Sequence, residues 1–294
     1  MITKSVNEKS IETKPKVSVL TPIYNTNPQH LRESIESILN QTFKDFEFII
    51  LSDSPDNKEL DEIVKSYSDD RIKYFKNEQN LGISATRNKL LDLAQGDYVA
   101  IFDHDDISVS TRLQKEVEYL DKNHEVGVVG ANTEWFKPDG TSKIMTCPSE
   151  DREIRCVLTD DCYLAHTTVM LRRELLVKNQ IKYRAYFSSC EDYQLFNELL
   201  DVTHFYVLNE VLVRYRIHEG RESKQNANQM RLKADAIRYD IRNRYPYYHE
   251  MYNKNFSRRT VLRLRLFGVI PFLKIKNNRC YLFEFLPIFK ARWH

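Results

Sequence analysis

The sequence lacks both of the common glycine-rich patterns that bind phosphate. Neither a G-x-x-x-x-G-K-[ST] segment nor a G-x-G-x-x-G segment occurs among the 294 residues. In P-loop enzymes and dinucleotide-binding enzymes, these glycines let the backbone approach phosphate groups closely. Their absence therefore argues against a P-loop kinase and against a dehydrogenase.

Cysteine pairs with metal-binding spacing are also absent. A disulfide framework normally uses an even number of cysteines, and structural zinc sites normally contain C-x-x-C pairs. This chain has an odd number and no such pair, so we expect small packing residues or free thiols in a reducing cytoplasm. The five cysteines are Cys147, Cys156, Cys162, Cys190 and Cys280.

Long apolar stretches are missing as well. Residues 1–13 are polar and lack the apolar core of a signal peptide, so we expect a flexible leader over residues 1–14. The longest apolar run, Leu266–Leu273, is far shorter than the roughly 20 residues that cross a bilayer. These features predict a cytoplasmic protein.

The small net charge of +2 hides an uneven distribution. From Arg221 onward there are 17 Lys and Arg against 5 Asp and Glu, whereas the first 220 residues are acidic. An acidic body with a basic tail indicates that the tail meets an anionic partner, which could be membrane lipid, nucleic acid or an anionic substrate.

Apolar segments that alternate between strand and helix spacing predict an α/β fold. Asn27 and Pro28 are typical of a helix start, and Gly96 is expected to close a helix at 84–94. The alternation predicts a mostly parallel, Rossmann-like sheet flanked by helices. We expect strands at 17–20, 46–51, 71–75, 98–102, 126–131, 167–171, 205–207 and 211–215, and later helices at 112–120, from Asp192, and at 229–244.

Asp103-His104-Asp105-Asp106 is the strongest chemical signal, because three carboxylates occur within four residues directly after a buried strand. Ligands of parallel α/β sheets lie outside the carboxyl ends of strands, which also includes segments 21–25 and 52–57. Clustered carboxylates repel one another unless a cation neutralises them, and Mg²⁺ or Mn²⁺ prefers oxygen ligands. A solvated acidic turn is the alternative interpretation.

Six segments in the same order resemble family 2 glycosyltransferases, which have the GT-A fold. The resemblance covers roughly residues 15 to 220, and each segment alone is a weak signal. The segments are Val17-Ser-Val-Leu-Thr-Pro-Ile-Tyr-Asn25, Ser34-Ile-Glu-Ser-Ile-Leu-Asn-Gln-Thr42, Asn80-Leu-Gly-Ile-Ser-Ala-Thr-Arg-Asn88, Asp103–Asp106, Cys190-Glu-Asp192 and Tyr215-Arg-Ile-His218.

The resemblance implies a set of donor-binding residues. Pro22, Tyr24 and Asp53 should hold the nucleobase and ribose, with Asp53 accepting a hydrogen bond from the pyrimidine N–H. Asn80 belongs to the same donor-binding set, and Arg87 should lie near the ribose or diphosphate. The family often has a further acid just before Asp53, where this chain has Ser52, so no role is assigned to position 52.

The same resemblance implies a metal site for Mn²⁺ or Mg²⁺. Asp105 and Asp106 are expected to bind the ion, and Asp105 is also expected to contact the ribose. Asp103 should support the cluster or the donor sugar. His218 is expected to close over the diphosphate or the metal, although taken alone it would be more typical of a structural or exposed histidine.

Asp192 is implied as the general base of an inverting transfer, with Glu191 and His166 on the acceptor side. Without the companion motifs, Glu191 and Asp192 would be read as acids at a helix N-terminus, and His166 as an interior histidine.

The expected domains are a GT-A catalytic domain over 15–245, with a nucleotide-binding half at 15–107 and an acceptor half at 108–245, and a basic, aromatic extension at 246–294. Within the extension, Leu266–Lys274 is repeated as Leu282–Lys290. Pro271 and Pro287 would break a long helix, so we expect two short segments that hold the protein on the inner face of an anionic membrane. Packing of the same apolar residues against the catalytic domain is the alternative.

The predicted activity is metal-dependent transfer of a hexosyl or N-acetylhexosaminyl group, with UDP the expected nucleotide, to a glycan or lipid-linked acceptor in lipopolysaccharide or capsule synthesis. The alternatives are a polyprenyl-phosphate sugar synthase and a non-catalytic protein that binds nucleotide sugars or nucleic acid. A nucleotidyltransferase is disfavoured because Leu20–Asn25 contains no glycine. We expect no nucleic-acid partner, and the sequence leaves the oligomeric state open.

Overall fold

The computed structural model describes residues 14–218 and 227–256, together with the backbone of four strands between residues 262 and 290. The predicted leader and the basic and aromatic side chains from residue 257 onward lie outside the described residues. No helix in the described part of the chain is long and apolar enough to cross a membrane.

Nine strands form one sheet in the order β3-β2-β1-β4-β8-β6-β9-β5, with β7 paired to β6. Six of them, β1 to β4, β6 and β9, run in the same direction, which confirms the mostly parallel α/β sheet predicted from the sequence. The strands are β1 Val17–Ile23, β2 Phe46–Ser52, β3 Ile72–Lys76, β4 Tyr98–Ile101, β5 Ile107–Ser108, β6 Val126–Phe136, β7 Ser142–Met145, β8 Met170–Arg172 and β9 His204–Arg216.

Nine α-helices are described along the chain. They are α1 Pro28–Leu39, α2 Lys58–Lys65, α3 Ile83–Leu93, α4 Arg112–Lys122, α5 Asp151–Leu158, α6 Arg173–Asn179, α7 Glu191–Leu199, α8 Ala227–Arg244 and α9 Pro246–Asn255. Two short 3₁₀ turns, His166–Thr168 and Ala185–Phe187, precede β8 and α7.

Helix α1 begins where the sequence predicts. The Asn27 side chain accepts hydrogen bonds from the backbone N–H groups of Gln29 and His30, and Pro28 occupies the first turn. Leu31, Ile35 and Ile38 of this helix are fully buried in the core. Burial of each such side chain contributes roughly 1.5–3 kcal/mol, which fixes α1 against the sheet.

Gly96 does not close α3, contrary to the prediction. The cap residue is Ala94, whose φ of −61° and ψ of 132° already turn the chain into an extended conformation. A Cβ at position 96 would lie 2.6 Å from the Ser18 backbone nitrogen, so the glycine is required by the close approach of β1. A packing constraint between segments distant in sequence explains this glycine.

Two strands predicted at 205–207 and 211–215 are one continuous strand, β9. The polar residues between them, Asn209 and Glu210, lie within β9, which pairs with the long strand β6 through register irregularities near Ala131 and Asn132. The irregular pairing accommodates the polar residues without ending the strand.

A buried ion pair supports the carboxyl end of β4. Arg112 and Glu116 of α4 both have fully buried side chains, and Arg112 Nε donates to Glu116 Oε1 over 3.0 Å. Arg112 Nη2 also donates to the Ile101 carbonyl over 2.9 Å. This contact fixes the last residue of the strand that leads into the acidic segment.

The chain divides into two compact units. One contains the chain up to Ile154 and Cys162–Ile237, and the other contains Arg155–Asp161 and the chain from Arg238 onward. Within the second unit, Tyr252 Oη donates to Asp160 Oδ2 over 2.6 Å, and Arg242 Nε donates to the Thr159 carbonyl over 2.8 Å. The domain boundary that we expect at residue 245 stays a prediction.

The second unit also contains a four-stranded antiparallel sheet of β10 Leu262–Leu266, β11 Ile270–Lys276, β12 Arg279–Leu282 and β13 Leu286–Lys290. The sequence repeat therefore corresponds to a repeated hairpin. Pro271 and Pro287 each occupy the second position of a strand, opposite a register irregularity. Proline lacks an N–H for strand pairing and is tolerated at such irregularities.

Candidate functional site

The acidic segment Asp103–Asp106 leaves the sheet at the carboxyl end of β4, as the sequence predicts. Thr21 Oγ1 donates to the Phe102 carbonyl over 2.9 Å, which joins the end of β1 to the start of this segment. Ser34 of α1 donates to the Asp103 carbonyl over 3.3 Å. The segment is therefore held by both a neighbouring strand and a helix.

Asp106 is completely buried, and its two carboxylate oxygens differ in their contacts. Oδ1 accepts a hydrogen bond from the Arg216 backbone nitrogen over 2.9 Å. Oδ2 has no hydrogen-bond partner among the residues that the structure describes. Burial, together with the charges of Asp105 and Asp103, raises the pKa of Asp106 well above the ordinary aspartate value. A cation bound at this position would offset that shift, because it favours the ionised carboxylate.

Asp105 and His218 lie within hydrogen-bond distance of each other, and their expected roles at a metal ion stay predictions. Asp105 Oδ2 is 2.8 Å from His218 Nε2. Burial opposes ionisation of Asp105, but the neighbouring His104 and His218 outweigh it and lower its pKa to about 2. The Asp105 carboxylate is therefore ionised at neutral pH and can act as a ligand.

The acidic segment has the donor chemistry that a hard divalent cation needs. In the described parts of the chain, no three His, Cys, Asp or Glu side chains form a group that could hold an ion on their own. Mg²⁺ and Mn²⁺ commonly take one or two carboxylates and complete their shell with water and substrate phosphates. The buried Asp106 oxygen that has no partner among the described residues and the ionised Asp105 have the donor chemistry of a site of that kind.

Arg87 joins the acidic segment to helix α7. Its Nη2 donates to Asp103 Oδ1 over 3.0 Å, and its Nη1 donates to Glu191 Oε1 over 2.7 Å. Burial opposes the charge of Arg87, but Asp103 and Glu191 outweigh this and raise its pKa. Arg87 therefore links residues that are far apart in the sequence.

Asp192 lies in the first turn of α7, directly after Glu191. Its Oδ1 accepts a hydrogen bond from the Tyr193 backbone nitrogen over 2.7 Å, and Cys162 Sγ lies 3.9 Å from its Oδ2. Burial raises the pKa of Asp192, and the hydrogen bond from Tyr193 together with the positive charge of Arg87 partly offsets that shift. A carboxylate with a raised pKa is a better proton acceptor than an ordinary aspartate.

His166 is buried near Arg87, with Tyr183 in contact with both, and only 7% of its surface is exposed. Its Nε2 is 3.0 Å from the Tyr183 hydroxyl, and the Tyr183 ring lies 5.7 Å from the Arg87 guanidinium. Burial, with a smaller contribution from Arg87, lowers the pKa of His166 well below its ordinary value. The ring is therefore neutral at pH 7, and its expected role on the acceptor side stays a prediction.

The residues expected to bind the nucleoside occupy the ends of β1 and β2. Tyr24 is 52% exposed, whereas Asp53 is 3% exposed. Asp53 accepts hydrogen bonds from the Leu81 and Gly82 backbone nitrogens, each over 2.9 Å, and from Asn77 Nδ2 over 2.8 Å. Its carboxylate therefore organises the loop that contains Asn80.

Asn80 Nδ2 donates to the Asp53 carbonyl over 3.3 Å, and Pro22 is buried at the end of β1. The contacts of Pro22, Tyr24, Asp53 and Asn80 with a nucleotide stay predictions.

Two residues of the site have no role in the sequence analysis. Arg216 is part of the Tyr215–His218 motif, but the motif assigns it no role. Its guanidinium donates a hydrogen bond to the Asp105 carbonyl in the acidic segment. His30 of α1 lies with its ring centroid 5.5 Å from that of His218. A signal for Arg216 was present in the motif, whereas nothing in the sequence around His30 indicates its position.

Comparison with known proteins identifies related sequences. The model of glycosyl transferase family 2 matches residues 18–179. An uncharacterized glycosyltransferase of Methanocaldococcus jannaschii is 36% identical over 209 residues, which are 69% of this chain and 71% of that protein. The Escherichia coli UDP-Glc:alpha-D-GlcNAc-diphosphoundecaprenol beta-1,3-glucosyltransferase WfgD is 27% identical over 75% of this chain and 85% of its own length.

Solved structures with the same fold have lower sequence identity. TarS of S. aureus in complex with UDP-GlcNAc aligns with a TM-score of 0.63 and 20% identity over 84% of this chain and 76% of that chain. The mannosyltransferase PcManGT of Pyrobaculum calidifontis, in complex with GDP-Man and Mn²⁺, aligns with a TM-score of 0.60 and 17% identity over 84% of this chain and 72% of that chain.

Proposed function

The chain belongs to glycosyltransferase family 2 and has the GT-A fold, and from this premise we propose that it transfers a sugar from a nucleoside-diphosphate donor to a hydroxyl acceptor, with inversion at the anomeric carbon. The observation that carries the proposal is the pairing of Asp105 with His218 next to the buried Asp106, in a segment that Arg87 connects through Asp103 to the helix that bears Asp192.

Asp105, Asp106 and His218 are the residues that would hold a divalent ion, Mn²⁺ or Mg²⁺. Such an ion would offset the charge that develops on the leaving nucleoside diphosphate. The buried Asp106 oxygen, which has no partner in the described part of the chain, and the ionised Asp105 support this assignment. The presence of Mn²⁺ with PcManGT is in line with it.

Asp192 would act as the general base. The acceptor hydroxyl oxygen forms a bond to the anomeric carbon while the bond from that carbon to the diphosphate oxygen breaks, and the hydroxyl proton passes to the Asp192 carboxylate. A single displacement of this kind inverts the anomeric configuration and needs no covalent intermediate. The raised pKa of Asp192 and its position one residue from the Arg87 partner Glu191 support this role.

The donor nucleotide is proposed to be UDP, bound near Pro22, Tyr24, Asp53 and Asn80. The exposed Tyr24 ring can stack on a base, and the Asn80 loop is held in place by Asp53. WfgD is named for UDP-glucose and TarS was solved with UDP-GlcNAc, whereas PcManGT was solved with GDP-Man. Competition between UDP and GDP for the free enzyme distinguishes the two bases.

The acceptor is proposed to be a glycan or a lipid-linked sugar of a surface polysaccharide or lipopolysaccharide. The name of WfgD, which specifies a diphosphoundecaprenol-linked acceptor, supports a lipid-linked class. A polyprenyl-phosphate sugar synthase would instead transfer the sugar directly to a lipid phosphate. Assays with GlcNAc-diphospho-lipid and with polyprenyl phosphate as separate acceptors distinguish the two reactions.

The basic segment at 246–294 is proposed to hold the enzyme on the inner face of an anionic membrane, where a lipid-linked acceptor would be found. The charge excess after Arg221 supports this. Co-sedimentation with anionic vesicles at low salt tests it against a chain that lacks residues 258–294. Equal sedimentation of the two chains would refute the proposal.

A panel of nucleotide sugars tests the catalytic proposal as a whole. With Mn²⁺, one donor should be turned over and its product should have the opposite anomeric configuration, as read by NMR coupling constants; EDTA should abolish turnover. A product that retains the donor configuration would exclude the single displacement, and turnover that EDTA leaves unchanged would exclude the metal site.

A further inference from the structure

Helix α1 lies along the acidic segment. It contacts Asp103, the first residue of the segment, and Ser108, which lies two residues after the last. Ser34 donates to the Asp103 carbonyl over 3.3 Å, and Ser37 Oγ accepts a hydrogen bond from the Ser108 backbone nitrogen over 3.0 Å. Gln41 Nε2 donates to Ser108 Oγ over 3.1 Å. These contacts hold the chain on both sides of Asp105 and Asp106 but leave those two residues to other partners.

Arg216, at the end of β9, supplies those partners. Its backbone nitrogen donates to Asp106 Oδ1 over 2.9 Å, and its Nε donates to the Asp105 carbonyl over 2.8 Å. Its Nη2 donates to Glu33 Oε2 over 2.5 Å, and the other Glu33 oxygen accepts a hydrogen bond from Gln29 over 2.8 Å. Glu33 is therefore fixed between Gln29 and Arg216.

The choice of acceptor for the Arg216 side chain is informative. A guanidinium so close to two carboxylates would normally form a bidentate pair with one of them. Among the described residues, the Arg216 side chain instead donates to a backbone carbonyl and to Glu33. The Asp105 and Asp106 carboxylates are consequently left to other ligands, and the charge of Arg216 is neutralised from the helix side.

We propose that Glu33 is a positioning residue for the divalent-metal site. It holds Arg216 on the Asp105 carbonyl and keeps this cation away from the carboxylates that bind the metal. The inference rests on the proposed metal site, to which Glu33 itself contributes no ligand. Without Glu33, an uncompensated guanidinium would repel the metal ion and compete for its ligands.

The test is Mn²⁺ binding by the full chain, measured calorimetrically in the presence of UDP and, separately, of GDP. Partners that orient metal ligands typically change affinity by about 10- to 100-fold when they are replaced. Glu33→Gln should therefore weaken Mn²⁺ binding by about 10-fold or more. Glu36→Gln is the matched control, because Glu36 is exposed on the same helix and its side chain accepts a hydrogen bond from Tyr67. This variant should bind Mn²⁺ like the wild type.

A second readout separates positioning from a general loss of structure. The activity of Glu33→Gln should return to the wild-type level when Mn²⁺ is raised to saturation, since the catalytic residues are intact. If Glu33→Gln does not fold, Glu33→Asp, which keeps the charge but cannot reach Arg216 in the same way, should show the same weakened binding.

Two outcomes overturn different statements. If the wild type binds Mn²⁺ with either nucleotide and Glu33→Gln binds it equally well, the role of Glu33 is refuted and the metal site stands. If the wild type binds no Mn²⁺ with either nucleotide, the metal part of the proposed function is refuted, and the role of Glu33 with it.

Discussion

The acidic segment and the Arg87 cluster both place several charges in a largely buried setting, but they compensate those charges in different ways. In the Arg87 cluster, the guanidinium donates to Asp103 and to Glu191, so a fixed protein cation meets the acids. In the acidic segment, Asp106 is completely buried and one of its oxygens has no partner in the described residues. Asp103 belongs to both.

This difference indicates two different uses of buried charge. A buried ion pair with a fixed partner holds elements in one arrangement, which suits the placement of a base on α7. A buried carboxylate without a fixed cation beside it is costly in the free protein and becomes favourable when a cation binds. We therefore propose that the Arg87 cluster is a structural frame and that the acidic segment is a receiving site for a cation. The following substitutions should affect the two regions differently.

The largest expected effect belongs to Asp192, the proposed general base, which follows the Arg87 partner Glu191 on α7. Asp192→Asn keeps the shape of the side chain but cannot accept the hydroxyl proton, so kcat should fall by about 10²- to 10⁴-fold. Steady-state kinetics with saturating donor and Mn²⁺ measure this. A variant that retains more than about a tenth of the wild-type kcat would contradict the role of Asp192.

Loss of the fixed cation should mainly cost stability. Arg87→Gln leaves Glu191 and Asp103 near each other without their shared partner, and breaking a buried pair in this way costs about 3–5 kcal/mol. Because the Asp103 side chain is 26% exposed, the lower end of this range is expected. Urea unfolding measures the change.

Arg184→Gln is the matched control for Arg87→Gln. Arg184 pairs with Glu198, but its side chain is 53% exposed, so the loss should stay within about 1 kcal/mol. Equal destabilisation by the two substitutions would show that the Arg87 cluster is not a structural frame.

Neutralising the receiving site should have the opposite effect on stability. Asp106→Asn removes a buried charge that Asp105 and Asp103 disfavour, so the metal-free variant should be at least as stable as the wild type in urea unfolding. Asp92→Asn, at an exposed position, should leave stability within about 0.5 kcal/mol. Marked destabilisation by Asp106→Asn would mean that the carboxylate is a structural element.

The pH dependence of kcat should reveal the setting of Asp192. Burial raises the pKa of this residue and Arg87 only partly offsets the shift, so activity should be lost as pH falls through a value above the ordinary aspartate range. Above that value Asp192 is ionised and the rate is maintained. The residual activity of Asp192→Asn should lack this acid limb, and a wild-type limb at the ordinary aspartate pKa would contradict the assignment.

Features of the fold that depend on residues close together in the sequence could be predicted from the sequence. The apolar run before Asp103 predicted a strand that delivers acids to the sheet edge, and Asn27 with Pro28 predicted the start of α1 correctly. Such features follow from local spacing and capping.

Contacts between distant residues could not be predicted in the same way. Arg87 and Glu191 are 104 positions apart, and Arg216 and Glu33 are 183 positions apart, so their pairing depends on how the sheet assembles. The prediction that Gly96 ends helix α3 is wrong for the same reason. The glycine is required by the close approach of the Ser18 backbone, which is distant in the sequence.

Strand β10 has a signal in the local sequence for which the sequence analysis gives no strand prediction. Leu262-Arg-Leu-Arg-Leu266 alternates with the two-residue period of a strand, and the structure has a strand there. Pro271 and Pro287 were considered only as helix breakers, whereas proline is also compatible with irregular positions in a sheet.

The central claim is that the acidic segment binds the donor diphosphate through a metal ion while α7 supplies the base. Calorimetric titration of UDP, with and without Mn²⁺, into Asp106→Asn and Asp192→Asn tests this most directly. We predict that Asp192→Asn binds UDP like the wild type, with the same increase in affinity on adding Mn²⁺, and that Asp106→Asn loses this increase. An unchanged Mn²⁺ effect in Asp106→Asn, or its loss in Asp192→Asn, would contradict the division of roles.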